Sequence, residues 1–186
     1  ENTLGVIHIV RDPRNIISSI LYHYSKDNYK KALEFILDEN KALGKKFDEK
    51  SLTVNRDMFT IISSWKNHYN SWKNFKKNYL LIKYEDLLYQ PKNEFGKICN
   101  YLTTHLNIKF DDEKIYTAIK ENNFENLKKL ERNNGFKETI RDKSTGEIKK
   151  FFNLGPDNKW ENVLDEEIKN SIESNFQREM NELGYL

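Results

Sequence analysis

The sequence predicts an α/β fold in which a parallel sheet is flanked by helices. Three observations carry that prediction. Gly5-Val-Ile-His-Ile-Val10 is short, apolar and β-branched, as a buried strand is. Asp12-Pro13 follows at once and reads as a helix start, with Asp12 offering an oxygen to free N–H groups and Pro13 at the first helical position. Tyr79-Leu-Leu-Ile-Lys-Tyr84 repeats the arrangement, an apolar strand leading toward a helix opened by Pro91. The 186 residues suffice for one domain, residues 1–186, with a real core.

In the first unit, Ile16, Ile17, Ile20 and Leu21 form the apolar face of the helix, while Asp12, Asn15 and Ser19 lie on another. Arg11 sits at the carboxyl end of the strand, where open α/β sheets bind ligands. An Arg fork there, with a hydroxyl on the neighbouring helix, suits a phosphate. The same residues also fit an Arg paired with a carboxylate and a serine bonded back to its own helix.

Charge narrows the partners. Thirty-one basic and 29 acidic side chains leave a net charge of +2, without the one-sided excess of a nucleic-acid or membrane-surface binder. Cys99 is the only cysteine, so neither an internal disulfide nor a Cys-based metal cluster is expected, and no metal is assigned. A single cysteine fits a reducing, cytoplasmic setting. No apolar run approaches the roughly twenty residues of a spanning helix. Because the sequence enters a buried strand almost immediately, further strands are expected before Glu1 to complete the sheet.

The remaining elements follow in order. Tyr22-His23-Tyr24 is an aromatic cluster, and Lys30 to Lys41 reads as a second helix with Leu33, Ile36 and Leu37 on one side. Gly44-Lys45-Lys46 lacks the earlier Gly and the following Ser/Thr of a phosphate loop. Asp57 to Phe75 reads as a long helix whose stripe of Phe59, Ile62, Trp65, Tyr69 and Trp72 must be buried. His68 beside it reads as a core-edge histidine or, alternatively, a base. Asp111 to Lys120 and Phe124 to Arg132 read as short helices around Asn122-Asn123. Asn133 to Lys150 is polar and aperiodic, so a long loop is expected. Residues 165–183 close the chain as one amphipathic helix with Ile168, Ile172, Phe176 and Met180 on its face.

Five segments, in this order, resemble the sulfotransferases that use 3′-phosphoadenosine 5′-phosphosulfate (PAPS). Val10-Arg11-Asp12-Pro13-Arg14-Asn15 with Ser19 resembles their 3′-phosphate segment, which implies that Arg11 and Ser19 hold that phosphate. Ser64-Trp65-Lys66-Asn67-His68 with Trp72 is similar to a scaffolding helix. Leu80-x-x-x-Tyr84-Glu85-Asp86-Leu87 resembles the segment whose Tyr contacts adenine, and Asn122-Asn123-Phe124 resembles a Thr-Ser-Phe turn, which implies adenine contacts for Tyr84, Asn122 and Phe124. Phe151 to Trp160 resembles Phe-x-Arg-Lys-Gly-x-x-Gly-x-Trp, a loop that also holds the 3′-phosphate. Here Asn153 replaces the Arg and Leu154 the Lys, leaving Gly155 in place; backbone N–H groups, Lys149, Lys150 or Arg141 are the expected compensation.

The resemblance implies a P-loop-like fold and sulfuryl transfer from PAPS to a hydroxyl or amine on a small molecule or glycan. It also places the family's phosphate loop, its Lys and its catalytic His before Glu1. None of His8, His23, His68 and His105 stands in the catalytic His context, so no catalytic residue is assigned. A non-catalytic nucleotide-binding or interaction domain is the alternative, favoured by Asn153. A P-loop kinase would want an Arg-rich helix, which is absent.

Overall fold

A computed structural model describes residues 3–24, 28–43, 60–75, 77–142 and 145–186. Strand β1 (Val6–Val10) and strand β4 (Tyr79–Lys83) pair in parallel, with Val6 opposite Tyr79 and Val10 opposite Lys83. Two short antiparallel pairs accompany them. They are β2 (Ala42–Leu43) with β3 (Thr60–Ile61), and β5 (Ile140–Arg141) with β6 (Ile148–Lys149). This is a mixed α/β architecture with a small parallel sheet flanked by helices.

Helix α1 (Pro13–His23) begins as its sequence dictates. The Asp12 side chain accepts from the Arg14 N–H at 2.9 Å, and Pro13 occupies the first helical position. Its apolar face packs on α2 (Tyr29–Leu37), which ends four residues before the expected Lys41 because the chain turns extended at Asp38. Ile17 and Ile20 meet Leu33 and Ile36 there. The carboxyl-terminal helices α8 (Glu166–Asn175) and α9 (Gln177–Leu183) add Ile172, Phe176 and Met180, all fully buried. Full burial of each such side chain contributes about 1.5–3 kcal/mol. The expected single helix over 165–183 is broken at Phe176, whose backbone leaves the helical region with φ −119°.

The largest correction concerns the aromatic stripe. Helix α3 spans Trp65–Lys73 only, because Ser63 takes a positive φ of 58° and Ser64 caps the helix through its hydroxyl. Ile62 precedes the helix, and Phe59, like Gly44-Lys45-Lys46, lies outside the described residues. Tyr69 is buried and Trp65 stacks on it, but Trp72 is 42 % exposed, so it is not the buried residue the stripe predicts. Its indole N–H donates to His68 instead.

The expected strand over 79–84 ends at Lys83, and Tyr84 opens a short helix, α4 (Tyr84–Tyr89), ahead of the one expected at Pro91. Helix α5 (Pro91–Leu106) opens at Pro91. Helices α6 (Asp112–Glu121) and α7 (Phe124–Asn134) flank Asn122-Asn123, the latter capping α7. The stretch 133–150 is not a plain loop, since it contains the β5–β6 pair. No helix among the described residues is long and apolar enough to cross a membrane.

Candidate functional site

The sheet register builds the site. Val10 and Lys83 are opposite each other, so the next residues, Arg11 and Tyr84, emerge side by side at the carboxyl end of the strands. The Arg11 guanidinium lies over the Tyr84 ring, 4.4 Å from its centre. One step further, the Asp12 N–H donates to Glu85 at 3.0 Å. Glu85, in the first turn of α4, therefore ties the two strand ends together. It also accepts from the Tyr185 hydroxyl at 2.9 Å. Burial, then the Glu85 charge, pushes the Tyr185 phenol far up, so it remains a donor.

Arg14 locks this turn from behind. It binds Asp12 and Glu173 at 2.7 and 2.6 Å, and donates to the Tyr185 carbonyl. Burial works against its charge, but the bonds to Asp12 and then Glu173 outweigh that and raise its pKa. Its guanidinium also stacks over Trp160 at 4.2 Å. The alternative of an Arg paired with a carboxylate is thus met by Arg14, while Arg11 is left otherwise. The Arg11 Nε is buried without a hydrogen-bond partner among the described residues.

In front of Arg11 lies a cavity of about 550 Å³. Arg11, Ser19 and Tyr84 line it from the strand ends and α1, and Asn122 and Phe124 from the α6–α7 junction. Asn153, Leu154 and Gly155 line it from the loop before Trp160. All eight residues singled out from the sequence therefore face one space, although they come from four separate segments. Their surroundings differ. Asn122 donates its amide to the Ala118 carbonyl at 2.8 Å, on its own helix. Asn153 and Leu154 are exposed. Gly155 has a positive φ of 53°, and a β-carbon there would run into the Phe124 ring.

Two residues that local sequence reading passes over hold the loop. Glu131, buried on α7, accepts from the Phe151 and Phe152 N–H groups at 2.5 and 3.0 Å and from the Thr139 hydroxyl. Asn158, also buried, joins Ser18, Ser19 and the Asn15 carbonyl. The Trp160 N–H donates to the Asn15 side chain at 2.9 Å. Asn158 could have been noticed as an amide inside a Gly-Pro turn, whereas Glu131 looks like any charge on a polar helix.

Arg11 is the only Lys or Arg among the described lining residues. Lys149, Lys150 and Arg141, named as possible compensation, are not among the described lining residues, although Lys149 lies over the ring of Tyr22, which is one of them. Lys149 pairs with Asp142 at 2.8 Å, and Arg141 reaches the Gly146 carbonyl. His23 lines it, one turn beyond Ser19, with its ring 4.9 Å from that of Phe151. Burial lowers its pKa, partly opposed by Glu131 and Glu138, which favours the neutral ring. His68 and His8 lie elsewhere, packed together on the α3 side of β1 with ring centres 5.8 Å apart.

A guanidinium that lines a cavity beside hydroxyl and amide side chains, with its buried Nε lacking a partner among the described residues, fits an anionic group such as a phosphate. The aromatic rings of Tyr84 and Phe124 fit a flat base.

Residues 1–184 match the sulfotransferase domain family. The chain is 27% identical over 175 residues to sulfotransferase 2A6 of Mus musculus, covering 88% of this chain and 56% of that protein. With sulfotransferase 1B1 of Canis lupus familiaris it shares 24% over 177 residues, covering 90% of this chain and 56% of the relative. The fold is similar to that of mouse sulfotransferase SULT7A1 complexed with PAP. The TM-score is 0.58 at 18% identity, covering 95% of this chain and 58% of that one. The chain thus spans little more than half the length of the relatives it matches.

Proposed function

The chain belongs to the sulfotransferase domain family, whose enzymes use PAPS, and from that premise we propose that its cavity holds the 3′-phosphate and adenine side of that donor. Arg11 and Ser19 take the 3′-phosphate, with the Gly155 loop beside them. Tyr84 and Phe124 contact the adenine, and Asn122 meets its edge. When bound, PAPS supplies the sulfuryl group. On transfer the acceptor oxygen or nitrogen would bond to sulfur as the bond from sulfur to the 5′-phosphate breaks, releasing adenosine 3′,5′-bisphosphate (PAP) and the acceptor's proton. The acceptor is a hydroxyl or amine of a small molecule or glycan. Neither its proton nor the 5′-phosphosulfate is assigned to any of these residues.

The observation that carries the reading is that Arg11, whose buried Nε has no hydrogen-bond partner among the described residues, lines the cavity that gathers all eight residues. Arg11 itself is held ready. Its carbonyl accepts from the Trp65 indole at 3.2 Å and its side chain rests on Tyr84, so little ordering is left for a ligand to cost. Calorimetry with PAP and with adenosine 5′-phosphate tests the assignment. PAP should bind at least tenfold more tightly, since a hydrogen bond to a charged group contributes about 1.5–3 kcal/mol, and Arg11→Ala should remove most of that preference. Equal affinity for the two nucleotides would sink it.

Asn153 and Leu154, which put no cation at the loop, favour a second reading, a nucleotide-binding domain without transfer activity. Retained preference for PAP without turnover, in a chain extended to the length of its relatives, would decide for it.

A further inference from the structure

Resting on the 3′-phosphate reading, we infer that Asn158 is a positioning residue that turns the Ser19 hydroxyl proton into the cavity. Chemistry fixes the orientation of its amide. One amide atom lies 2.9 Å from the Asn15 carbonyl, which only accepts, so that atom is the NH₂ group. The other is the amide oxygen, and it lies 2.5 Å from the Ser18 hydroxyl, which therefore gives its proton to Asn158. With one N–H on the Asn15 carbonyl, the second points at Ser19 Oγ, 3.4 Å away. Ser19 is thereby cast as acceptor toward Asn158.

Helical serines usually send their proton back to the carbonyl four residues earlier. For Ser19 that carbonyl is Asn15, which already receives the Asn158 amide in addition to its helical N–H. The local outlet is taken, and the cavity, which Arg11 also lines, is what remains for the Ser19 proton. The other members of this relay, Ser18 and Asn158, are both buried and both line the cavity. The family pattern carries Gly at the position of Asn158, a residue with no side chain to do this. The relay therefore belongs to this chain, whose loop lacks the usual Arg and Lys.

The test is a double-mutant cycle on the 186-residue chain, reading by calorimetry the ratio of PAP to adenosine 5′-phosphate affinity. Ser19→Ala should lower that ratio about tenfold, the size of one hydrogen bond to a charged group. Asn158→Ala should lower it to within about a factor of two of that, and the double variant no further than Ser19→Ala alone. A merely structural Asn158 would weaken both nucleotides alike and leave the ratio unchanged, or would multiply with Ser19→Ala. Either result overturns the inference while the function stands. If Asn158→Ala does not fold, Ser18→Ala carries the test. It releases the amide, so the ratio should fall, and only while Ser19 is present; an unchanged ratio overturns the inference. A wild-type chain with no preference for PAP refutes the underlying function instead.

Discussion

The Phe124 ring fills the space that a β-carbon on Gly155 would need. That contact joins the first residue of α7 to the loop across the cavity, and the loop residue holds a left-handed backbone. Gly155→Ala should therefore fail twice. The left-handed backbone costs an L-residue roughly 1–2 kcal/mol, and the methyl must also push the ring away. The expected outcome is a lower melting temperature together with weaker PAP binding. An unchanged affinity would show that Phe124 and Gly155 do not share a site.

Arg14 joins two carboxylates and a carbonyl at the back of the turn that presents Arg11. Asp12 and Arg14 are both buried, so Arg14→Met leaves Asp12 charged and unpaired. Breaking one partner from a buried pair typically costs about 3–5 kcal/mol. Urea unfolding of the variant should show a loss of that order. A loss below about 1 kcal/mol, the worth of an exposed pair, would mean the network is not formed in solution.

His8 gives a pH dependence with a definite sign. It is buried on β1, bonded to the Tyr79 hydroxyl at 2.8 Å, and faces His68 and Tyr69 on α3, with Glu182 of α9 on the Tyr69 hydroxyl. Burial first, and then the neighbouring His68, lowers its pKa to about 4 from 6.5. The unfolded chain therefore binds the proton first. Stability is full above pH 6.5 and declines as the pH falls toward 4, by on the order of 3 kcal/mol in all. Burial of His68 acts in the same direction. Unfolding midpoints across pH 4–7 should flatten in His8→Phe. The same slope in the variant would place the titrating group elsewhere.

Part of the candidate site was legible from local chemistry: Asp12-Pro13 starts a helix by short-range capping, so Arg11 could be placed at a strand end without a fold. Tyr84, Asn122, Phe124 and residues 153–155 were singled out only through the family resemblance. What stayed hidden depends on partners far along the chain. Glu85 meets Asp12 only because the strands pair in register, and Glu131 meets Phe151 only once α7 has packed. The β5–β6 strands have two residues each, too few to show alternation. The aromatic stripe over 57–75 misled for a related reason. Periodicity registers apolar spacing, but not the positive φ at Ser63 that ends the run, nor a helix that stops at Lys73.

Trp65 and Trp72 should accordingly behave differently. Trp65 packs on Tyr69 and Phe176 and donates to the Arg11 carbonyl. Its truncation to Ala should cost about 3 kcal/mol, and weaken PAP binding because Arg11 loses its support. Trp72 is 42 % exposed and should cost less than half of that. Thermal unfolding of the two variants checks this. Equal losses would mean that Trp72 is covered in solution.

The last prediction runs in the direction of gain. Asn153 and Leu154 are exposed and line the cavity, so a longer side chain at either position meets no packed neighbour first. The family pattern has Arg at the first of these, and Arg11 is now the only Lys or Arg among the described lining residues. A planar guanidinium can grip a phosphate with two parallel N–H bonds, which an amide cannot match. A buried bond of this kind contributes about 1.5–3 kcal/mol. Exposure at position 153 reduces that through solvent screening, so the expected gain for PAP is about tenfold. Adenosine 5′-phosphate, without the 3′-phosphate, should gain little. The gain should also shrink as salt is raised from 50 to about 500 mM, because the new contact is screened whereas Arg11 is partly buried. Calorimetry of Asn153→Arg with both nucleotides at the two salt concentrations measures all of this. If both nucleotides gained equally, the new charge would be acting on the 5′-phosphate, and the orientation of the nucleotide in the cavity would have to be reversed.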